Sequence, residues 1–246
     1  MDVRGKTILV TGAGRGIGRA VAIALAAAGA ELVLVSRTAS QLEEVAGVIA
    51  ASGGKARVLP LDVTDTAALC AGFAGLSRLD ILINNAGLNR PQPFLRVDED
   101  TLDRLLTLNV RATFLVAQAA ARLMVTNGAG VIVNMSSQMG HVGTEQHRTV
   151  YVMTKHALEG LTKAMAVELA PKGIRVVSIA PTFIDTPLTR PFFDDPNFRR
   201  WVLDRIPLGR LGTVEEVARA VVFLASPAAS LVTGSSLLAD GGWTAW

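Results

Sequence analysis

The sequence predicts an α/β fold, a doubly wound parallel sheet of about seven strands with helices on both faces. Three observations lead to this prediction. Short apolar runs alternate with amphipathic helical patterns along most of the chain. The runs are continuously apolar, as in parallel strands that are buried on both faces. A glycine-rich turn joins the first run to the first helix, and that context suits a phosphate-binding turn.

The apolar runs give the predicted strands. In chain order they are Thr7–Val10, Glu31–Val35, Val58–Leu61, Asp80–Ile83, Gly130–Met135, Ile174–Ile179 and Ser235–Ala239. No Pro/Gly/Ser-rich linker, repeat or low-complexity tract interrupts their succession. Residues 1–246 are therefore predicted to form a single domain.

Helical patterns fill the intervals between the strands. The first, Ile17–Ala28, has apolar residues at helical spacing and ends at Gly29. Two longer patterns run from about Glu99 to Leu123 and from about Val150 to Ala170, where Pro171 stops the helix. Helices that alternate with strands in this way predict crossover connections between parallel strands.

Two local signals mark the last third of the chain. Thr213-Val-Glu-Glu216 is a capping-box signature at the start of a helix. Residues 182–207 combine several prolines and aromatic residues with no clean period. A long irregular stretch in a compact domain is usually functional, so this segment is predicted to be a substrate-covering loop.

Composition and charge narrow the functional classes. The chain has a net charge of +3 and a pI of about 9.4, but its basic residues are scattered and form no nucleic-acid-binding motif. The single cysteine excludes an intramolecular disulfide, and the three histidines fit no zinc pattern. No apolar run approaches the ~18–20 residues that span a membrane. We expect no metal, no nucleic acid, no membrane partner and a cytoplasmic location.

A tyrosine and a lysine four residues apart, Tyr151 and Lys155, carry the strongest chemical signal. A Tyr hydroxyl, with a pKa of about 10, is a poor acid or base at neutral pH. A Lys at i+4 lies on the same helical face, and its charge favours the phenolate, which brings the pKa toward working pH. Ser137, 14 positions before the tyrosine, offers a hydroxyl that can hold a substrate oxygen.

The three strings Thr11-Gly-Ala-Gly-Arg-Gly-Ile-Gly18, Asn84-Asn-Ala-Gly87 and Tyr151-Val-Met-Thr-Lys155 together resemble the short-chain dehydrogenase/reductase family. The resemblance covers essentially the whole chain. It implies a Rossmann-like fold, a single dinucleotide-binding and catalytic domain, and hydride transfer between a nicotinamide cofactor and a carbonyl or secondary alcohol.

The resemblance also implies a catalytic set, Asn109, Ser137, Tyr151 and Lys155. Tyr151 would be the general acid or base, and Lys155 would lower its pKa and bind the nicotinamide ribose. Ser137 would hold and polarise the substrate oxygen. Asn109 would kink its helix and help hold a water in a proton relay. Ser136 competes with Ser137, but the family usually uses the second serine of such a pair.

The end of the second strand is predicted to determine whether NADP(H) or NAD(H) binds. A ribose 2′-hydroxyl is bound there by an acidic residue, whereas a 2′-phosphate requires a cation. Here the strand ends at Ser36-Arg37, and Arg15 in the glycine turn can reach the same group. We therefore expect NADP(H), with NAD(H) as the alternative. The predicted cofactor-binding residues are Gly12, Arg15, Gly16, Ile17, Gly18, Ser36, Arg37, Asp62, Val63, Asn85, Ala86, Gly87, Tyr151, Lys155, Pro181, Ile184 and Thr186.

One departure from the family pattern is Pro181-Thr182, where the family usually has Pro-Gly. A β-branched residue does not adopt glycine conformations freely, so the backbone at Thr182 is predicted to be one that Thr tolerates.

The substrate is left open by the sequence. The predicted pocket residues are Asn89, Arg90, Gln138, Met139, His141, Val142, Glu145, Gln146, His147, Phe183, Leu188, Phe192, Phe193 and Trp201, and Arg148 is a further candidate for binding an anionic or hydroxyl-rich substrate. Sugar or polyol oxidoreduction and 3-oxoacyl reduction are the two main interpretations. The alternatives are an NAD-dependent sugar-acid or polyol dehydrogenase, a dinucleotide-binding regulator that has lost catalysis, and a nucleic-acid-binding protein on the same scaffold.

An oligomer is expected. The helices from about residues 99 and 150 have wide, alanine-rich apolar faces, and the chain ends in Trp243-Thr-Ala-Trp246. An exposed aromatic terminus is unusual unless a contact holds it. Family members are often tetramers, so we expect a homotetramer or, failing that, a dimer.

Overall fold

The computed structural model describes residues 1–187 and 189–245. Its centre is one parallel sheet with the strand order 3-2-1-4-5-6-7. The strands are β1 Thr7–Thr11, β2 Glu31–Ser36, β3 Lys55–Pro60, β4 Ile81–Asn84, β5 Gly130–Met135, β6 Ile174–Pro181 and β7 Ser236–Ala239. The predicted α/β fold with a doubly wound, Rossmann-like sheet is confirmed.

Helices cover both faces of the sheet. They are α1 Gly16–Ala27, α2 Ala39–Ala51, α3 Thr66–Ala74, α4 Glu99–Leu106, α5 Thr113–Asn127, α6 Thr149–Leu169, α7 Pro196–Asp204 and α8 Val214–Ala225. Apolar side chains of α1, α2 and α8 form the core on one face, and those of α3, α5 and α6 form the core on the other. The central strands are therefore buried from both sides, as their continuous apolarity predicts.

The edge strand β3 differs from the prediction. It begins at Lys55, not Val58, and its residues alternate between exposed and partly buried. The apolar-run criterion requires burial on both faces, and an edge strand does not meet it. By contrast, the predicted capping box is present, since Thr213 accepts a hydrogen bond from the Glu216 amide and Glu216 accepts one from the Thr213 amide.

Two predicted segments are divided differently in the structure. The long helical pattern after residue 99 is α4 and α5 joined by a π-helical stretch, Thr107–Ala112. The segment 182–207 is not irregular throughout, because it contains a 3₁₀ turn at Arg190–Asp194 and the helix α7. The Asp195-Pro196 pair starts α7, with an aspartate N-cap followed by a proline at the first helical position.

The point at which the sheet reverses its strand order lies between β1 and β4. β1 pairs with β2 on one side and with β4 on the other. Ligands of such sheets bind beyond the carboxyl ends of the strands at this point. No helix in the described part of the chain is both long and apolar enough to cross a membrane.

Candidate active site

A cleft of about 850 Å³ lies beyond the carboxyl ends of the strands. Every predicted catalytic and cofactor-binding residue except Asn109 lines it. The glycine turn and the end of β2 form one end of this cleft, and α6 with residues 182–192 forms the other. The sheet therefore brings together residues that are up to about 175 positions apart in the chain, from Gly12 to Thr186.

Three glycines of the glycine turn, Gly12, Gly14 and Gly18, have no room for a side chain. Gly12 has a φ of +67°, a region that favours glycine. A Cβ on Gly18 would overlap the carbonyl oxygen of Gly12, and a Cβ on Gly14 would lie 2.9 Å from Gln41 Oε1. Helix α1 begins here without a side-chain cap at Arg15. Its first amide groups therefore remain available to an anion.

The ends of β1 and β4 are joined by side-chain hydrogen bonds. The Thr11 hydroxyl accepts from the backbone amides of Asn85 and Ala86 at 2.9 and 3.0 Å. The Asn85 side chain in turn donates to the Thr11 carbonyl oxygen at 2.9 Å. Asn85 therefore fixes the position of the glycine turn with its own amide group. Thr11, which the sequence analysis did not select, is the acceptor that makes this arrangement possible.

The end of β2 offers two exposed guanidinium groups, Arg15 and Arg37. The closest carboxylate to Arg37 is Asp62, at 4.0 Å. Burial raises the pKa of Asp62, but hydrogen bonds from the Thr64 amide and hydroxyl and the charge of Arg37 outweigh it and leave this pKa below its ordinary value. Asp62 is therefore ionised and already bonded, and Arg37 is only loosely held by it.

Helix α6 places Tyr151 and Lys155 against the end of β5. The Lys155 Nζ donates to the Met135 carbonyl oxygen at 2.7 Å and lies 5.5 Å from the Tyr151 ring centroid. Burial lowers the pKa of Lys155 to about 8, against the charge of Glu159. Burial raises the pKa of Tyr151, and the Ser137 hydroxyl and the charge of Arg148 counteract that rise. The charge of Arg148 therefore favours the phenolate form of Tyr151, and the Lys155 ammonium lies beside the same ring.

Ser137 is the second residue after β5 and faces the phenol of Tyr151. Its hydroxyl donates to Gln138 Oε1 at 2.8 Å and accepts from the Met139 amide at 3.2 Å. The neighbouring Ser136 hydroxyl is buried and has no hydrogen-bond partner. The serine that neighbours the tyrosine is therefore the one that the sequence analysis selected.

Asn109 lies behind the cleft, in the π-helical stretch. Its side chain donates to the Leu88 carbonyl oxygen at 2.8 Å and to the Thr154 hydroxyl at 3.2 Å, and it accepts from the Leu88 amide at 2.9 Å. A π-helical insertion, not a simple kink, therefore turns Asn109 toward the loop after β4. Such insertions are frequent at functional sites. A Cβ on Gly87 would lie 3.4 Å from Asn109 Oδ1 and 3.9 Å from Lys155 Nζ, so Asn109 and the lysine are close.

A buried carboxylate stands one turn after Lys155. Glu159 accepts hydrogen bonds from the Ser178 hydroxyl at 2.7 Å and from the Ser236 hydroxyl at 3.2 Å. His141 Nε2 lies 3.3 Å from the same carboxylate. His141, a predicted pocket residue, does not line the cleft in the structure, and its ring nitrogen lies beside Glu159 and Ser236 instead. The i+4 spacing from Lys155 was the signal by which Glu159 could have been found.

Residues 182–207 cover the reacting end through an aromatic cluster. Phe198 stacks on Trp201, and the other ring contacts among Phe183, Phe193, Phe198, Trp201 and Trp243 are edge-on or tilted, with ring centroids 5.5–6.4 Å apart. Trp201 Nε1 also donates to Glu145. Only Phe183 and Phe192 of the predicted aromatic residues line the cleft, together with Asn89, Gln138, Met139 and Arg148.

The remaining predicted pocket residues lie elsewhere. Arg90, Val142, Glu145, Gln146, His147, Phe193 and Trp201 do not line the cleft, because they pack in the cover or pair with other surface groups. Leu188 and Trp246 lie outside the described residues. Thr182 has no left-handed backbone, as expected, since His147 alone of the described non-glycine residues has a positive φ.

Comparisons with known proteins agree on one family. The model of the enoyl-(acyl carrier protein) reductase family matches residues 12–244. L-xylulose reductase from Bos taurus is 44% identical over 252 residues, which cover 100% of both chains. Gluconate 5-dehydrogenase from Gluconobacter oxydans is 41% identical over 247 residues, 99% of this chain and 96% of that one. A gluconate 5-dehydrogenase from Burkholderia cenocepacia, solved in complex with NADP and tartrate, superposes with a TM-score of 0.95 at 36% identity over 100% of this chain and 97% of that chain.

Proposed function

The chain belongs to the short-chain dehydrogenase/reductase family, and from that premise we propose that it transfers a hydride between NADP(H) and a carbonyl or secondary alcohol of a sugar-derived substrate. As a member of this family it is an NAD(P)-dependent oxidoreductase that acts on CH–OH groups. The observation that carries the proposal is a single cleft that holds the glycine turn, Ser137, Tyr151 and Lys155.

The residues of the cleft fit a dinucleotide with a 2′-phosphate. The glycine turn allows a close backbone approach, and the uncapped amides of α1 suit a pyrophosphate. At the end of β2, Arg37 and Arg15 are exposed, and the strand ends in Ser36 where NAD binding calls for a carboxylate. The homologous gluconate 5-dehydrogenase contains NADP, which supports the same choice. NAD(H) is the alternative.

When bound, NADPH supplies the hydride for the carbonyl carbon. The residues of this chain bind the oxygen and deliver the proton. Tyr151 is the proton donor, and because burial raises its pKa the phenol is protonated at neutral pH, as reduction requires. The Ser137 hydroxyl holds the same oxygen, and Lys155 places a cation beside the phenol for the oxidative direction. Asn109 keeps the loop after β4 in place beside the lysine and would hold a relay water there.

The polar residues of the cleft favour a hydroxyl-rich substrate. Six buried side-chain nitrogen or oxygen atoms in the described ranges have no hydrogen-bond partner, and four of them belong to residues that line the cleft: Asn89, Ser136, Arg148 and Thr182. The amide, hydroxyl and guanidinium groups of these residues can bind the hydroxyl groups of a sugar or polyol, whereas an acyl chain offers them no hydrogen-bond partner. The relatives named for L-xylulose, galactitol and gluconate support this class over 3-oxoacyl substrates.

A homotetramer is the assembly that we propose. Exposed apolar side chains on α5 and α6, Phe114, Val125, Met153 and Val167, would be covered by other copies of the chain. Light scattering of the purified protein measures the mass of the assembly, and a monomer or a dimer would refute the tetramer.

The test is nicotinamide absorbance at 340 nm with NADPH or NADH and a panel of ketoses, keto-sugar acids and 3-oxoacyl thioesters. We expect the highest kcat/KM with NADPH and a sugar-derived carbonyl. In Tyr151→Phe, kcat/KM should fall by about 10²- to 10⁴-fold, because a positioned general acid contributes that much. NADPH binding, followed by fluorescence, should persist.

A matched pair of lysine variants controls for a general loss of charge. Lys155→Met should lose activity, whereas Lys163→Met, an exposed lysine on the same helix, should retain it. Unchanged turnover in Tyr151→Phe would refute the acid–base assignment. NADPH binding without turnover on any substrate would favour a regulator that binds the dinucleotide.

A further inference from the structure

Arg148 is a buried cation without an ionic partner. It immediately precedes α6, and 4% of its surface is exposed. No carboxylate lies within 4.0 Å of its guanidinium in the described part of the chain. Its one hydrogen bond runs from Nη1 to the Gln146 carbonyl oxygen at 3.1 Å, and its buried Nε has no acceptor.

The other buried charged groups are bonded. Lys155 donates to a backbone carbonyl, Glu159 accepts from two hydroxyls, and Asp240 accepts from the amides of Gly242 and Thr244. An unpaired buried ion is expensive to maintain, so a guanidinium in this state is typical of a site that awaits a ligand. Its burial also lowers its pKa, although an arginine remains charged near neutrality.

Three phenylalanine rings hold the guanidinium in position. Its Cζ lies 5.6 Å from the ring centroid of Phe183, 5.8 Å from that of Phe192 and 5.2 Å from that of Phe198. These distances are typical of cation–π contacts, which stabilise the charge but accept no N–H hydrogen bond in the guanidinium plane. Arg148, Phe183 and Phe192 line the same cleft as Tyr151 and Ser137. The buried Nε is closed to a molecule in that cleft, so the terminal Nη groups are the donors available to it.

We propose that Arg148 binds the carboxylate of the substrate, so that the substrate is a keto or hydroxy acid of the sugar series and not a neutral ketose or polyol. The proposal rests on the proposed function, because it takes Tyr151 and Ser137 as the groups that hold the reacting oxygen. A planar guanidinium binds a carboxylate through two parallel hydrogen bonds. A single buried cation also matches the single charge of a carboxylate, whereas a neutral polyol leaves it uncompensated.

The position of Arg148 gives it a second effect on the reaction. It precedes Tyr151 by three residues, and its charge acts on the phenol. A carboxylate bound to Arg148 neutralises that charge and makes the phenol a weaker acid than in the free enzyme. Asn89 and Thr182 line the same cleft, and their amide and hydroxyl groups can bind hydroxyl groups of the same acid.

Calorimetry with a matched pair of ligands tests the proposal without turnover. D-gluconate and D-glucitol have the same length and differ at one end, where the first has a carboxylate and the second a hydroxymethyl group. Titrated into the wild-type protein saturated with NADPH, to which neither alcohol can transfer a hydride, D-gluconate should bind at least about tenfold more tightly, as expected for a charge-assisted bidentate pair. Equal affinities or a preference for D-glucitol would overturn the proposal.

Variants assign the effect to one side chain. In Arg148→Gln the preference for D-gluconate should disappear while the affinity for D-glucitol changes by less than about threefold. Arg200→Gln, which removes an exposed arginine from the covering helix α7, should keep the preference. Loss of both ligands in a folded Arg148→Gln variant that still binds NADPH would mean that the arginine only supports the aromatic cover. If Arg148→Gln does not fold, Arg148→Lys replaces it, with a reduced preference as the expected result and an unchanged one as the contrary result.

The proposal and the proposed function fail in different ways. Selective binding of D-gluconate without hydride transfer on any substrate would support the role of Arg148 and refute the oxidoreductase assignment of this site. Hydride transfer that is equally efficient on acids and on neutral ketoses would support the proposed function and refute the role of Arg148.

Discussion

The two ends of the cleft contain arginines in opposite environments. Arg37 at the end of β2 is exposed and lies 4.0 Å from the Asp62 carboxylate, whereas Arg148 is buried beneath phenylalanine rings and has no ionic partner among the described residues. An exposed guanidinium remains hydrated when no ligand is bound, so it can release a cofactor easily and its contribution weakens with salt. A buried guanidinium lacks water and gains much more from a matching anion.

The two ends also differ in whether backbone or side-chain atoms line them. The cofactor end consists mainly of backbone, with glycines at which a Cβ would collide and amides at the start of α1. The reacting end consists of side chains from segments that are distant in sequence, namely α6, the end of β5 and residues 182–192. A backbone site is sensitive to any added atom, whereas a side-chain site changes its ligand when one residue changes.

The largest effect is expected when an atom is added to the cofactor end. In Gly18→Ala the new Cβ would overlap the Gly12 carbonyl oxygen and lie 2.6 Å from Asn85 Nδ2. Overpacking of this kind costs about 1–3 kcal/mol, which should lower the melting temperature and weaken NADPH binding about 10- to 100-fold. Fluorescence titration with NADPH and thermal denaturation measure the two effects.

The matched control is Gly47→Ala. This glycine lies inside α2, and a Cβ there would meet nothing within 4 Å. Alanine is the better helix former, so this variant should gain about 0.5–1 kcal/mol of stability and bind NADPH normally. Normal NADPH binding in Gly18→Ala would show that the glycine turn does not limit the cofactor site.

A medium effect is expected from the exposed arginine. Arg37→Ser should weaken NADPH binding by about tenfold, the effect of losing one charge-assisted contact, and should leave NADH binding unchanged. The salt dependence of NADPH binding should decrease as well. Arg4→Ser, which removes an arginine as exposed as Arg37 from outside the cleft, serves as the control. Equal weakening of NADPH and NADH by Arg37→Ser would contradict the 2′-phosphate assignment.

These differences explain which parts of the molecule could be predicted from the sequence. The buried strands and the glycine turn follow from local patterns, because burial on both faces and a missing Cβ leave a direct trace in the residues. The predicted strand β3 was too short, since partial exposure hides its periodicity. Helix α7 was not predicted, since the proline-rich composition hides its periodicity. Contacts across the fold leave no such trace.

The reacting end illustrates that limit. The sequence shows that Arg148 is three residues from Tyr151, but not that Phe183, Phe192 and Phe198 cover its charge. The sequence also does not show that His141 lies beside Glu159, or that Asn109 lies in a π-helical stretch and bonds to Leu88. Each of these arrangements depends on tertiary packing, which brings together segments with no shared local pattern.

The smallest effect is expected from removing the N-cap of one helix at each end of the cleft. Asp195 caps α7 over the reacting end through a hydrogen bond from the Asn197 amide at 2.9 Å, and Thr213 caps α8, which packs on α1 beneath the cofactor end. Loss of either cap costs about 1 kcal/mol. Because α7 rests on a small cluster around Val202, Ile206 and Trp243, whereas α8 belongs to the large core, the same loss should have different consequences.

We expect Thr213→Ala to lower the free energy of global unfolding in urea by about 1 kcal/mol and to leave KM for the substrate unchanged. Asp195→Ala should lower global stability less and raise KM about twofold to fivefold, because local fraying of α7 opens the cover for part of the time. NADPH affinity should be unchanged in both variants. An unchanged KM in Asp195→Ala, with the same loss of global stability as in Thr213→Ala, would mean that the cover is as stable as the core, and that the two ends differ in chemistry but not in rigidity.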